Sequence, residues 1–263
     1  MSADARLAGE RALVTGSGTG IGREIALEFA RQGADVVLHY AHSGEGAESA
    51  AEEIRKLGRR STVVRANFDD LDEVTRLGRQ AIEFLGGVDC LVNNAGITFN
   101  RPFLEVTREQ FELLYDVDIH AQFFLTQAIV RDMLPRGGGA ICNLTSIHAL
   151  QGAPEHSVYA GTKGAIVACT RALAVELAQH GVRVNAIAPG WVTVENYYQA
   201  IPGFNDEDAR KLAAEKVPLG RSGEKREIAR LAAFLCSEDA AFIIGQTIVA
   251  DGGSTALMSL ISD

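Results

Sequence analysis

Short runs of aliphatic and β-branched residues recur along the chain, each followed by a longer segment whose apolar positions repeat every three to four residues. The runs are RALVT (11–15), DVVLHY (35–40), STVVRAN (61–67), DCLVNN (89–94), GAICNLT (139–145), VRVNAI (182–187) and QTIVA (246–250). Such brief apolar runs predict strands buried on both faces, and the intervening periodicity predicts helices. Several of the helical segments end in a glycine just before the next strand, at Gly33, Gly58, Gly86 and Gly181. A glycine there takes the left-handed conformation that closes a helix and turns the chain back. Thr107-Arg-Glu-Gln110 reads as a capping box that opens another helix. Strands alternating with helices of this length predict an α/β fold, a doubly wound and mostly parallel sheet covered on both faces.

Residues 1–263 contain no linker and no low-complexity segment, so a single domain is expected. The stretch 194–223 is polar, carries Pro202, Gly203 and Pro218, and is long for a connection. It is therefore expected to form a mobile lid.

Composition narrows the partners. The formal net charge is -9, which argues against an extensive phosphate-neutralising surface and hence against nucleic acid. No apolar run approaches the ~20 residues needed to span a membrane, and the N-terminal MSADARLAGERALV lacks the blocks of a signal peptide. Cys90, Cys142, Cys169 and Cys236 are scattered with no CxxC pair. They point to reduced, buried thiols in a cytoplasmic protein, with neither a disulfide frame nor a metal site.

The first strand runs directly into Thr15-Gly-Ser-Gly-Thr-Gly-Ile-Gly22, which opens the first helix. Glycines at 16, 20 and 22 let the backbone turn tightly and approach a pyrophosphate at a helix N-terminus, where free N–H groups and the helix dipole favour an anion. A lone glycine motif is weak, but its place between strand and helix of a βαβ unit is the context dinucleotide binding requires. Gly16, Ser17, Thr19, Gly20, Ile21 and Gly22 are the expected cofactor-facing residues of this turn. At the end of the second strand, the position that selects the cofactor is Tyr40, not an acid. No carboxylate there repels a 2′-phosphate and Ser43 can donate a hydrogen bond to one, although neither Thr19 nor Ala41 supplies an arginine. NADP(H) is thereby favoured over NAD(H).

Tyr159 and Lys163 stand four residues apart, which on a helix makes them neighbours on one face. Taken alone the pair is equally compatible with packing. The motifs around it carry a stronger reading: TGSGTGIG (15–22), NNAG (93–96), Ser146 thirteen residues before the tyrosine, YAGTK (159–163), APG (188–190) and DGG (251–253). In this order and spacing the chain resembles the short-chain dehydrogenase/reductase family, in its shorter single-domain branch. The resemblance implies a Rossmann-type parallel sheet of seven strands and hydride transfer between a carbinol or carbonyl carbon and a nicotinamide ring. It implies that Tyr159 is the general acid/base, that Lys163 binds the nicotinamide ribose and lowers the tyrosine pKa, and that Ser146 hydrogen-bonds the substrate oxygen. Asn94, Ala95 and Gly96 would line the adenosine side, Asn67 and Phe68 would face the adenine, and Pro189, Gly190 and Val192 would flank the nicotinamide. The physics agrees: a free tyrosine, with a pKa near ~10, is a poor base at neutral pH, and a nearby ammonium favours its phenolate. A positioned acid/base of this kind contributes ~10²–10⁴ in rate.

The chain departs from that family's pattern twice. Val117-Asp118-Ile119 stands where members usually have V-N-[LIV], and a carboxylate there is expected to raise the lysine pKa and alter the pH profile while keeping the proton relay working. Asp118 is accordingly counted with Ser146, Tyr159 and Lys163 as catalytic. In Pro189-Gly-Trp-Val-Thr193-Val194 the threonine comes one place earlier than in the usual PGxxT spacing.

Residues expected to face the substrate are His148, Gln151, His156, Trp191 and Tyr197, with Ile147, Glu155 and Tyr198 nearby. Polar groups interleaved with aromatic rings suit a small hydroxy-carbonyl compound, sugar or polyol. Solvated loop or interface roles are equally open for His148, Glu155 and His156. A 3-oxoacyl-thioester reductase is the alternative reaction. From other classes come a Rossmann-fold epimerase or dehydratase, which resembles longer chains, and a non-catalytic nucleotide-binding regulator, which would be expected to have lost Ser146, Tyr159 or Lys163. The resemblance also implies a homotetramer.

Overall fold

Every apolar run identified above becomes a strand of one parallel sheet. The computed structural model describes residues 5–195 and 205–257. The strands are β1 (Arg11–Val14), β2 (Asp35–Tyr40), β3 (Ser61–Arg65), β4 (Cys90–Asn93), β5 (Gly139–Leu144), β6 (Val182–Pro189) and β7 (Thr247–Ala250), in spatial order β3-β2-β1-β4-β5-β6-β7. All six pairings are parallel. The chain walks outward from β1 to β3, then crosses back to lay β4 on the other side of β1. That reversal opens a crevice beyond the carboxyl ends of β1 and β4, the place where open α/β sheets bind ligands.

The helices are α1 (Gly20–Arg31), α2 (Gly44–Lys56), α3 (Leu71–Leu85), α4 (Arg108–Tyr115), α5 (Ala121–Met133), α6 (Ser157–Leu177), α7 (Asp206–Lys216) and α8 (Lys225–Cys236). Side chains of period two split between the two faces of the sheet. Ala12, Val14, Val36 and Leu38 pack with α1, α2 and α8, whereas Leu13 and Val37 pack with α3, α5 and α6. Phe29, Ile25, Leu77 and Ile129 are fully buried between these layers, each contributing about 1.5–3 kcal/mol by burial. The four predicted helix-closing glycines all lie at positive φ, from 74° to 97°. Thr107 and Gln110 make both bonds of the capping box that starts α4.

Between α4 and α5 the helix widens into a π-turn, Asp116–His120. In 194–223, the part described includes α7, which buries Ala209 and Ala213, and Leu219 N–H donates to the Gly252 carbonyl. Residues 196–204, and with them Tyr197 and Tyr198, lie outside the described residues. All four cysteines are free, and Cys90, Cys142 and Cys236 are buried; burial pushes the Cys142 thiol up to about 12. No helix among the described residues is long and apolar enough to cross a membrane, and none of their His, Cys, Asp and Glu side chains cluster as metal ligands.

Candidate active site

The site is assembled at the carboxyl ends of β1, β4, β5 and β6. Gly16 takes φ +63°, and a Cβ there would lie 2.9 Å from Ala95 Cα. A Cβ on Gly22 would come within 2.3 Å of both Asn94 Nδ2 and the Gly16 carbonyl oxygen. Only glycine permits this approach. The turn is stitched to the NNAG segment: Asn94 N–H and Ala95 N–H donate to Thr15 Oγ1 at 2.9 and 3.0 Å. Asn94 Nδ2 donates to the carbonyls of Thr15 and Gly16 at 2.9 and 3.2 Å. Ser17 is buried, its hydroxyl donating to Val14 O at 2.8 Å, so it braces the turn from behind.

His39, next to last in β2, holds the same turn from the other side. Its Nδ1 accepts from Gly16 N–H at 3.1 Å, which leaves Nε2 to donate to the Ala66 carbonyl at 2.9 Å. The ring stacks on Phe68 at 4.3 Å and is 1% exposed. Burial lowers its pKa to about 4, so it is neutral at physiological pH and the tautomer is set by these partners. Tyr40 follows at the strand end, its ring edge 2.9 Å from where a Cβ on Gly44 would be. Ser43 caps α2 without a side-chain cap bond, packed against Gly18. Asn67 Oδ1 is buried with no partner, an acceptor left over for a ligand's donor.

Tyr159 and Lys163 share one face of α6, with Lys163 Nζ 5.2 Å from the Tyr159 ring centroid. Thr145, at the end of β5, fixes this part of α6 by donating to the Lys163 carbonyl at 2.7 Å. Lys163 is almost wholly buried and its Nζ lies 3.0 Å from Asp118 Oδ2. Asp118, fully buried in the π-turn, also accepts from Ile97 N–H at 2.8 Å and Thr162 Oγ1 at 3.3 Å. The effect on Lys163 has the expected sign. Burial pulls the ammonium's pKa down, but Asp118, with Tyr159, outweighs it and the pKa is raised.

Ser146 is buried just past β5 and caps the following short helical turn, Oγ accepting from His148 N–H at 3.2 Å. That turn carries His148 back over Tyr159: the rings meet edge to face at 5.6 Å, and His156 stacks on His148 at 4.5 Å. His148 Nδ1 is buried without a partner, and burial together with His156 lowers this imidazole's pKa. Gln151 and Glu155 are exposed, Glu155 at φ 64°. After β6, Trp191 keeps a buried, unpartnered Nε1–H. Val192 is buried and bridges to Gly223, while Thr193 Oγ1 donates to Ser222 Oγ at 3.1 Å. A Cβ on Gly190 would strike Asp251 of the DGG motif at 2.5 Å.

Two residues with no motif to announce them join the site: His39, hidden in an ordinary strand pattern, and Glu195, whose carboxylate reaches Gly20 N–H at 3.1 Å. An imidazole facing a glycine turn and an acid just past Val194 are the only signals the sequence holds for them.

A family model described as enoyl-(acyl carrier protein) reductase matches residues 16–255. The 3-oxoacyl-[acyl-carrier-protein] reductase FabG of Staphylococcus epidermidis is 39% identical over 242 residues, 92% of this chain and 97% of that protein. Among solved structures, a 7α-hydroxysteroid dehydrogenase complexed with NADH and 7-oxo glycochenodeoxycholic acid superposes with a TM-score of 0.89 at 34% identity, covering 96% of this chain and 97% of its own. A short-chain dehydrogenase from Burkholderia cenocepacia, in complex with NADP, gives 0.87 at 31% identity, covering 95% and 99%. With its strand order, glycine turn and Tyr159–Lys163 pair as well, this chain belongs to the short-chain dehydrogenase/reductase family of oxidoreductases.

Proposed function

We propose that this enzyme transfers hydride between a nicotinamide dinucleotide, NADP(H) in preference to NAD(H), and a secondary alcohol or ketone of a small hydroxy-carbonyl, sugar or polyol type. The observation that carries the reading is the convergence of Tyr159, Lys163 and the Ser146 turn at the open ends of β5 and α6. The site also fits the cofactor. The Asn67 Oδ1 acceptor is buried and unpaired, the glycine turn excludes any Cβ, and Thr19 leaves the N-terminus of α1 without a side-chain cap. When bound, the nicotinamide supplies or accepts the hydride.

The protein's own groups handle the proton and the oxygen. Tyr159 Oη gives a proton to the carbonyl oxygen in reduction and takes it back in oxidation. Lys163 places an ammonium beside the ring, which stabilises the phenolate once the proton has left, and it would hold the ribose of a bound cofactor. The Ser146 hydroxyl donates to the reacting oxygen. Asp118 anchors Lys163 in this geometry. Gly16, Thr19, Gly20, Ile21 and Gly22 would hold the diphosphate, with Asn94, Ala95 and Gly96 beside the adenosine; Ser17, expected to face the cofactor, is instead buried behind the turn with its hydroxyl on Val14 O. Asn67 and Phe68 would frame the adenine, Tyr40 and Ser43 would meet the adenosine ribose, and Pro189, Gly190 and Val192 would back the nicotinamide. The preference for NADP(H) rests on the absence of a carboxylate at Tyr40. His148, with a free buried Nδ1, and His156 pack against the Tyr159 ring, and Trp191 keeps a free Nε1–H; with Gln151 they supply the substrate's other contacts. They favour a substrate with a second oxygen close to the reacting carbon.

A 3-oxoacyl thioester is the second reading, favoured by the likeness to the carrier-protein reductase. Phe103, Leu104, Phe111 and Phe124, in or near α4 and α5, and Val175 and Phe242 are exposed apolar side chains. Their exposure supports the expected homotetramer.

The test is kcat/KM for hydroxy-ketones, polyols and a 3-oxoacyl thioester, each with NADPH and NADH. Turnover of hydroxy-ketones or polyols above the thioester, with NADPH preferred, is the expected result. Thioester preference selects the second reading, and no turnover with any of them refutes both.

A further inference from the structure

The helix α1 begins with an unusual partner. Its first residue, Gly20, donates its backbone N–H to Glu195 Oε2 at 3.1 Å, across 175 positions of sequence. The other carboxylate oxygen, Oε1, is bound by Lys225 Nζ, on the first residue of α8. Val194 lies against the same glycine, 3.7 Å from where a Cβ would be. Thr19, which should cap α1, makes no cap bond. A carboxylate brought from far along the chain thus takes the place that a helix N-terminus in a glycine-rich turn offers to a phosphate.

The charges explain why it rests there. Burial alone would raise the Glu195 pKa, but Lys225 and the Gly20 N–H outweigh this and hold the carboxyl below its usual range. An ionised carboxylate at the positive end of a helix is favoured by about 0.3–1 kcal/mol. Neither Glu195 nor Lys225 is sequestered, with side chains 50% and 32% exposed, so the pair can open without unfolding its surroundings. A diphosphate arriving at Gly20 meets this carboxylate in its path, and like charges cannot share the same N–H donor. Departure of Glu195 would leave Lys225 beside the diphosphate with its charge unpaired.

We propose that Glu195 is a displaceable internal anion that holds the diphosphate position of the glycine-rich turn, and that Lys225 exchanges it for the cofactor's diphosphate on binding. This rests on the reading of the turn as a nicotinamide dinucleotide site. It adds two residues to that site, one opposing the cofactor and one pairing with it. Because Glu195 stands two residues after Thr193, the exchange couples cofactor entry to movement of the backbone at the edge of the substrate-facing segment.

The experiment is direct binding by calorimetry, without turnover, of NADPH, ADP and adenosine to the wild type, Glu195→Gln, Lys225→Met and the double variant. Glu195→Gln keeps the side chain's size and removes its charge. It is expected to tighten NADPH and ADP by about two- to fivefold, the span of one helix-terminus charge, and to leave adenosine unchanged. In the Glu195→Gln background, Lys225→Met is expected to weaken NADPH and ADP several-fold, again without affecting adenosine. The gain from Glu195→Gln should shrink at high salt, because the pair is partly exposed. Unchanged or weaker NADPH affinity in Glu195→Gln overturns the proposal, as does an equal gain for adenosine, which would mean general loosening. A wild type that binds neither NADPH nor NADH refutes the dinucleotide reading itself, a failure distinct from the others.

Discussion

Lys163 Nζ lies 3.0 Å from Asp118 Oδ2, and both side chains are sealed from water. The lysine that faces Tyr159 therefore shares its charge with a carboxylate that no V-N-[LIV] sequence would supply. Asp118→Asn keeps the acceptor for Ile97 N–H and removes the negative charge. The ammonium then acts more fully on the tyrosine, and the pH dependence of alcohol oxidation should move to lower pH by roughly one unit. The kcat/KM–pH curve of the two proteins checks this, and coincident curves would rule it out.

The same pair sets a stability prediction. Lys163→Met leaves Asp118 as a buried, uncompensated charge and should destabilise the fold by about 3–5 kcal/mol. Adding Asp118→Asn removes that charge, so the double variant should recover much of the loss. Urea unfolding of the three proteins measures the coupling.

Tyr159→Phe removes the exchangeable proton and little else, since the Tyr159 ring contacts to His148 and Lys163 are retained in outline. Turnover should fall by ~10²–10⁴ while the dissociation constant for NADPH, read by fluorescence, stays close to that of the wild type. A matching loss of binding would place the tyrosine in structure and not in chemistry.

His39 gives an acid-stability prediction whose sign is fixed by its environment. The unfolded ring titrates near 6.5 and the buried one near about 4. As pH falls from 6.5 toward 4 the unfolded chain binds the proton first, so stability is full above 6.5 and declines through this window. The loss from this group is of order 3 kcal/mol. In His39→Asn this part of the pH dependence should vanish, which chemical denaturation at pH 7 and pH 4.5 would reveal.

Leu104, 92% exposed beside α4, tests the assembly. Leu104→Glu combined with Phe111→Glu should reduce the solution mass seen by light scattering, and an unchanged mass would remove that face from any interface.

Much of this was legible in advance. The seven apolar runs match the seven strands within a few residues because parallel, doubly covered strands need uninterrupted apolar sequence. The four closing glycines and the Thr107 capping box were readable because each answers a local backbone demand. What escaped is non-local. The sequence suggests an ordinary helix at Asp118, but the chain inserts a π-turn there, which aims the carboxylate at Lys163. His39 sits in a run that looks like plain strand, and its role depends on Gly16 and Ala66, which only the sheet brings near. Glu195 and Gly20 meet across most of the chain, and no spacing rule reaches that far.

The strand order also has a meaning for synthesis. β6 is an eight-residue, largely buried strand whose outer edge, among the described residues, is paired by β7, a strand made some 57 residues after β6 ends. As the chain emerges from the ribosome, the sheet from β3 to β6 is complete while that edge is still bare. An apolar edge of this kind invites pairing with other chains. Closure of the fold therefore waits on residues 247–250, and loss of β7 should yield aggregates instead of a slightly smaller enzyme.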